Sequence, residues 1–214
     1  MNTHVLPLLQ PYFFMKETYQ AFAETVIPYT PSSEDRKWEA SGAAAERIDE
    51  FLIWEMNRLF AIKVSERMVN VPLALPTAAM LNMAAKYYIQ DKNIQSRVNE
   101  RIDRRLFAEL PPFNRMDCFY QLMNDQFPHV MFAWPFQQYK ELVTLASETL
   151  FRLVFIGYYS EWSGYQTGAH HMPLELKLHQ IPISWLQTGY PGPADGYRDL
   201  RGYLIPPTRK EGDE

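Results

Sequence analysis

The residues of this chain best suited to chemistry are His170, His171, Glu175 and His179. His171, Glu175 and His179 are four apart, so a helix starting near Pro173 would stack them on one face, and imidazole with carboxylate is a donor set for zinc or iron. The spacing itself argues against a single ion. Eight residues of helix rise place His171 and His179 about 12 Å apart, and only uncoiling at Pro173 would bring them together. Interface or capping histidines are therefore the preferred reading, with a metal-dependent enzyme as the alternative.

Other catalytic signatures are missing from the sequence. No glycine-rich phosphate loop follows a strand, no G-x-S-x-G elbow occurs, and no H-E-x-x-H pair is present. Cys118 is the single cysteine, which excludes an internal disulfide, a cysteine metal cluster and a C-x-x-C-H haem attachment. It reads as a small buried hydrophobe. Glu24 and Glu46 have no positioned partner in the sequence and read as solvated or capping carboxylates.

These residues must be held by a frame, and composition says what kind. With 214 residues, 47% hydrophobic and 14% aromatic, the chain can bury one full core. A formal charge of -4 gives no electrostatic footprint for nucleic acid, whose binding depends on clustered lysine and arginine. Met1 to Gln10 lacks a basic n-region, and the pair Arg104-Arg105 lies too deep to serve as a twin-arginine signal. The apolar runs are broken before the roughly 20 residues a bilayer requires. The expectation is a soluble, cytoplasmic protein with no transmembrane segment.

Hydrophobic periodicity then predicts helices. Pro11 to Ile27 places Phe14, Met15, Tyr19, Phe22 and Val26 on one face, and Pro28 ends the run. A long helix is expected from about Ser41 to about Met68, carrying Ile48, Phe51, Leu52, Met56 and Leu59. A third runs from Thr77 to about Asp91. Residues Asn93 to Leu110 pack Ile94, Val98, Ile102 and Leu106 inward and leave Arg97, Arg101, Arg104 and Arg105 in water. A short helix follows around Arg115 to Met123, and Asp125 to Pro135 is expected to lie extended under the core. Phe136 to Phe155 is the most apolar helix and is expected at the centre of the bundle, running out at Gly157. Strand signals are weak throughout. The fold class is all-α: a single-domain irregular helical bundle over residues 1–207, with an extended, Pro/Gly/aromatic-rich C-terminal segment, and a disordered tail from Thr208 to Glu214.

That C-terminal stretch, Phe151 to Tyr203, cannot be one helix, because rigid and permissive backbone alternate at Tyr190-Pro191-Gly192-Pro193. Tyrosine and tryptophan bury large area at little entropic cost, which suits a docking surface better than a reaction centre. Tyr158, Tyr159, Trp162, Trp185, Tyr190 and Tyr197 are the candidate partner-binding anchors. Pro191, Gly192 and Pro193 fix the direction of the segment that carries them. The competing reading is that several of these aromatics seal the chain's own core, and for Trp185 the two readings weigh equally. A stand-alone protein whose aromatic tail binds carbohydrate is a further alternative.

Three runs carry a resemblance. Phe22-Ala23-Glu24-Thr25-Val26-Ile27-Pro28-Tyr29-Thr30-Pro31, followed by Ser41-Gly42-Ala43-Ala44 and Ile48-Asp49-Glu50-Phe51-Leu52, resembles the opening of the gluconate 2-dehydrogenase subunit 3 family. Gly157-Tyr158-Tyr159, Gly189-Tyr190-Pro191-Gly192-Pro193 and Gly196-Tyr197 resemble its ending, and Phe107 to Arg115 is similar to its internal linker. The resemblance spans residues 15 to 200. It implies a mostly helical, non-catalytic small subunit that binds no cofactor itself. Its implied partner is a large FAD-dependent dehydrogenase of the glucose-methanol-choline type, acting on sugars, sugar acids or alcohols, which the small subunit matures or stabilises. Family members commonly begin with a twin-arginine signal, and this sequence shows none at its start.

Overall fold

The structure, a computed structural model, describes residues 6–31, 40–64, 67–92, 105–165 and 178–190. Seven α-helices lie in these segments: α1 (Leu6–Val26), α2 (Ile48–Arg58), α3 (Ala74–Asp91), α4 (Leu106–Glu109), α5 (Pro112–Met123), α6 (Lys140–Tyr159) and α7 (Ile183–Thr188). Short 3-10 turns cover His129–Met131 and Trp162–Gly164. The all-α class holds, with one addition. Strands β1 (Ala61–Val64) and β2 (Arg67–Asn70) pair antiparallel, Ala61 opposite Asn70 and Val64 opposite Arg67.

That hairpin corrects the long second helix. The helix stops at Arg58 because the next residues find better backbone partners outside it. Val71 N donates to Phe60 O at 2.8 Å and Leu73 N donates to Met56 O at 3.0 Å. Asn57 completes the junction: its Oδ1 accepts from Ala74 N at 3.0 Å, and its carbonyl accepts from Asn70 Nδ2 at 2.8 Å. A β-rich octet thereby closes on itself, where periodicity alone read more helix.

The start of α2 also differs from the sequence expectation. Ser41 does not open the helix, since Thr30 and Ala40 form an antiparallel bridge and Ala43 N donates to Ile27 O at 2.9 Å. Gly42 permits this approach: a Cβ there would lie 2.6 Å from Tyr29 N. The chain turns through Arg47, at φ 55°, before α2 begins. Glu46 accepts from Ser41 Oγ at 2.5 Å ahead of the helix, and α2 has no side-chain cap at its start.

One hydrophobic core joins the described segments. Tyr19, Phe22, Leu52, Met56, Leu81, Phe107, Phe119 and Leu150 all lie inside it. Its hub is α1, which touches α2, α3, α4, α5 and α6; the most apolar helix, α6, lies to one side against α2, α5 and α7. Aromatic rings link the layers. Phe22 lies 4.5 Å from Phe119 and 6.4 Å from Phe107, and Phe119 stacks on Phe151 at 6.3 Å. The hydroxyl of fully buried Tyr19 donates to Ala74 O at 2.9 Å, fixing α1 to the start of α3.

The segment 125–135 is not a single extended run. It contains a 3-10 turn and the cis peptide Trp134-Pro135, and its Phe127 and Phe132, with Phe136 after it, supply core rings. Cys118 is fully buried, and its thiol is pushed up to about 12 by burial and then by the neighbouring Asp117 charge, so it behaves as an inert hydrophobe.

Helix α6 continues past Gly157 to Tyr159. A Cβ on Gly157 would meet Phe51 Cδ1 at 2.5 Å, so the missing side chain is what lets α6 press onto α2. Gly157→Ala is expected to cost about 1–3 kcal/mol through overpacking, despite alanine's better helix propensity. Chemical denaturation of the two proteins measures this, and an unchanged or raised stability would show that the ring simply moves aside. With 20 residues and a mean hydropathy of 1.2, α6 reaches a bilayer's thickness by length and composition, contrary to the sequence expectation. Of that window 44% is buried inside the bundle.

Candidate docking face

The candidate site lies where α6 ends and the chain returns through α7. Gly157 and Ser160 set the exit: Ser160 Oγ donates to Gly157 O at 2.8 Å and accepts from Trp162 N at 3.1 Å, which turns the chain into the 3-10 turn. Two aromatics offered as partner anchors are consumed there. Tyr158 is 2% exposed; its hydroxyl donates to Ser41 O at 2.6 Å and accepts from Gln187 Nε2 at 3.1 Å. Trp162 is 7% exposed, with Nε1 donating to Arg47 O at 3.1 Å and its ring 5.3 Å from Phe51. Both are buried latches that tie the end of α6 to the start of α2, which corrects their placement on a contact surface.

The same latch has a polar half. Arg47 Nη2 donates to Tyr165 O at 2.8 Å, so Arg47 grips the end of the 3-10 turn with its side chain and Trp162 with its carbonyl. Tyr165 donates to Glu161 Oε2 at 2.5 Å, and that bond, with burial behind it, pushes the phenol up to about 12. Burial likewise raises the Tyr158 phenol above its ordinary value. These hydroxyls stay protonated donors and take no part in acid–base chemistry near neutrality.

What returns is pinned by backbone bonds. His179 N donates to Gly164 O at 2.9 Å and Gln180 Nε2 donates to Ser163 O at 2.6 Å. Ile183 N, at the start of α7, donates to Ser163 Oγ at 3.3 Å. The His179 side chain is exposed, and no group of three metal-ligating side chains occurs among the described residues. His170, His171 and Glu175 lie outside the described residues, as do Pro191, Gly192, Pro193 and Tyr197.

Of the remaining anchors, Tyr159 is 57% exposed and stands edge-on to Tyr158 at 5.2 Å. Tyr190 is 46% exposed and packs edge-on against half-buried Trp185 at 5.0 Å. The sequence reading missed four apolar neighbours on the same elements. Phe155 and Ile156 project from the last turns of α6, and Ile181 and Leu186 from the return segment and α7, all exposed. A helical wheel of α6 carries the missing signal. Buried Val143, Leu150, Leu153 and Val154 define the inner face, which leaves Leu145, Glu148, Arg152, Ile156 and Tyr159 facing outward. Charge occupies the middle of that outer face and gives way to apolar residues at its end.

Next to Arg47 of the latch lies a second set of charged groups. Asp49 and Glu50, in the first turn of α2, are buried, and Lys16 Nζ of α1 donates to Glu50 Oε1 at 3.0 Å. Asp49 Oδ2 and Glu50 Oε2 have no hydrogen-bond partner. Burial pushes the Asp49 carboxyl up to about 6, with Lys16 opposing the rise and Glu50 adding to it.

The chain matches no family model, no curated protein and no solved structure.

Proposed function

We propose that this chain is a non-catalytic accessory subunit that docks onto a larger FAD-dependent dehydrogenase acting on sugars, sugar acids or alcohols, and stabilises or matures it. One observation carries the docking role: a rigidly latched end of the bundle that keeps Phe155, Ile156, Tyr159, Ile181, Leu186 and Tyr190 in water. Exposed aromatic and aliphatic side chains on a braced scaffold suit a protein interface, because little conformational entropy is lost when they are covered. The identity of the partner rests on the resemblance of the N-terminal, central and C-terminal runs to the gluconate 2-dehydrogenase subunit 3 family. In this reading flavin and catalytic residues belong to the partner, and the chain contributes contact area.

Co-expression with a glucose-methanol-choline type flavoprotein encoded beside it tests the reading. A stable heterocomplex is expected, with flavin absorbance following the large subunit only. Ile156→Asp with Tyr159→Asp is expected to weaken the complex at least about 30-fold, the loss of two interface anchors. Both positions are exposed, so the melting temperature of the isolated chain should barely move. Failure to form any complex, or flavin retained by the isolated chain, would overturn the assignment.

A further inference from the structure

Helices α1, α4 and α5 line an open cleft of about 260 Å³. Glu17, Gln20, Ala21 and Glu24 line it from one stripe of α1, Arg105, Ala108 and Glu109 from α4 and the residue before it, and Arg115 from α5. Arg115 is the unusual member. Its side chain belongs to a residue 7% exposed, and it makes no ion pair among the described residues. Nε donates to Leu110 O at 2.8 Å and Nη1 donates to Ala21 O, which clamps α5 to α1. Nη2 has no hydrogen-bond acceptor among the described residues and is not sealed from solvent. A buried guanidinium strongly favours a carboxylate seated on its free edge, since a charge out of water is costly unless it is compensated.

The rest of the lining restricts what can bring that carboxylate. Glu17 Oε1 pairs with Arg105 at 2.9 Å, whereas exposed Glu24 and Glu109 make no ion pair among the described residues, Glu24 acting on the Arg115 guanidinium through space. Summed over the lining, three carboxylates face two guanidinium groups. A simple anion would meet net repulsion, and a simple cation would leave the free edge of Arg115 without a hydrogen-bond acceptor. A zwitterion answers both. The volume falls below the roughly 300–1,000 Å³ typical of drug-sized ligands, which selects a molecule of a few heavy atoms. Gln20, Ala21 and Ala108 supply a floor of small and polar side chains.

We propose that this cleft binds a small free α-amino acid, its carboxylate on the Arg115 guanidinium and its ammonium group between Glu24 and Glu109. The site is separate from the docking face and does not depend on the proposed dehydrogenase partner. Ligand binding there would tighten the junction of α1 with α4 and α5, adding stability in proportion to occupancy.

Isothermal titration of the isolated full chain with L-alanine, L-serine and L-glutamine tests it, with propionate and ethylamine as probes that each lack one pole. At least one amino acid is expected to saturate below about 20 mM and to bind at least about tenfold more tightly than either single-pole probe. Glu24→Gln with Glu109→Gln, both at exposed positions, is expected to weaken that binding at least about tenfold. Absence of saturable heat for all three amino acids overturns the proposal. So does propionate binding as well as the amino acids, or binding unchanged in the folded double variant. The propionate and ethylamine comparison on the unmodified chain stands even if the double variant folds poorly.

Discussion

Phe22→Ala is expected to destabilise the protein by about 3–5 kcal/mol, the range for removing a buried ring that its surroundings cannot refill. Phe22 is 1% exposed and sits where α1 meets α4 and α5, against Phe107 and Phe119. Through Phe119 the contact passes on to Phe151 of α6, so the cavity would open at the point where four helices share one stack. Helices α1, α4 and α5 each also pack against α3, which limits collapse. Since a domain's whole stability is about 5–15 kcal/mol, the variant should melt far below the parent. Urea titration followed by circular dichroism gives the number directly. A loss under about 1 kcal/mol would mean that the stack is not a determinant of the fold.

Asp49→Asn is expected to do the opposite at neutral pH. The Asp49 carboxyl stands at about 6 in the folded chain against an ordinary value of 3.8, a gap worth about 3 kcal/mol between its two protonation states. Folding therefore favours the protonated acid. That contribution is fully present below about pH 3.8 and is lost as pH rises through about 6, because the ionised carboxylate is buried with Oδ2 unpartnered. Asparagine keeps the shape and carries no charge, but it gives up the attraction of Lys16. A net gain of about 1–2 kcal/mol at pH 7.5 is the expected result, shrinking toward zero near pH 4. Comparing unfolding free energies of parent and variant at both pH values isolates this group from every other titration. A difference that does not change with pH would show that Asp49 reaches water and ionises freely.

Both substitutions act on parts of the chain that the sequence reveals unequally. Phe22 falls on the periodic face of α1 and is readable as core from spacing alone. Asp49 and Glu50 fall outside the apolar stripe of Ile48, Phe51, Leu52 and Met56 that periodicity picks out on α2. They are buried because α1 packs across the first turn of α2, a fact about the neighbour and not about the segment. The same distinction separates the anchors. Tyr158 and Tyr159 are adjacent and chemically alike, yet one is 2% and the other 57% exposed. Their roles follow from the helix phase of α6 and from Ser41 and Gln187 meeting the inner hydroxyl.

The amino-acid order by itself determined the all-α class, the apolar faces of α1, α3 and α6 and the buried Cys118, because these depend on spacing and side-chain chemistry within a few turns. Tertiary structure decided where α2 begins and ends, the β1–β2 hairpin, which aromatics are latches and which face water, and the buried charge of Arg115. The latches, the end of α2 and the Arg115 clamp turn on partners distant in sequence, Asn57 for Asn70 at 13 residues, Ala21 for Arg115 at 94 and Ser41 for Tyr158 at 117, and local periodicity holds no record of such partners.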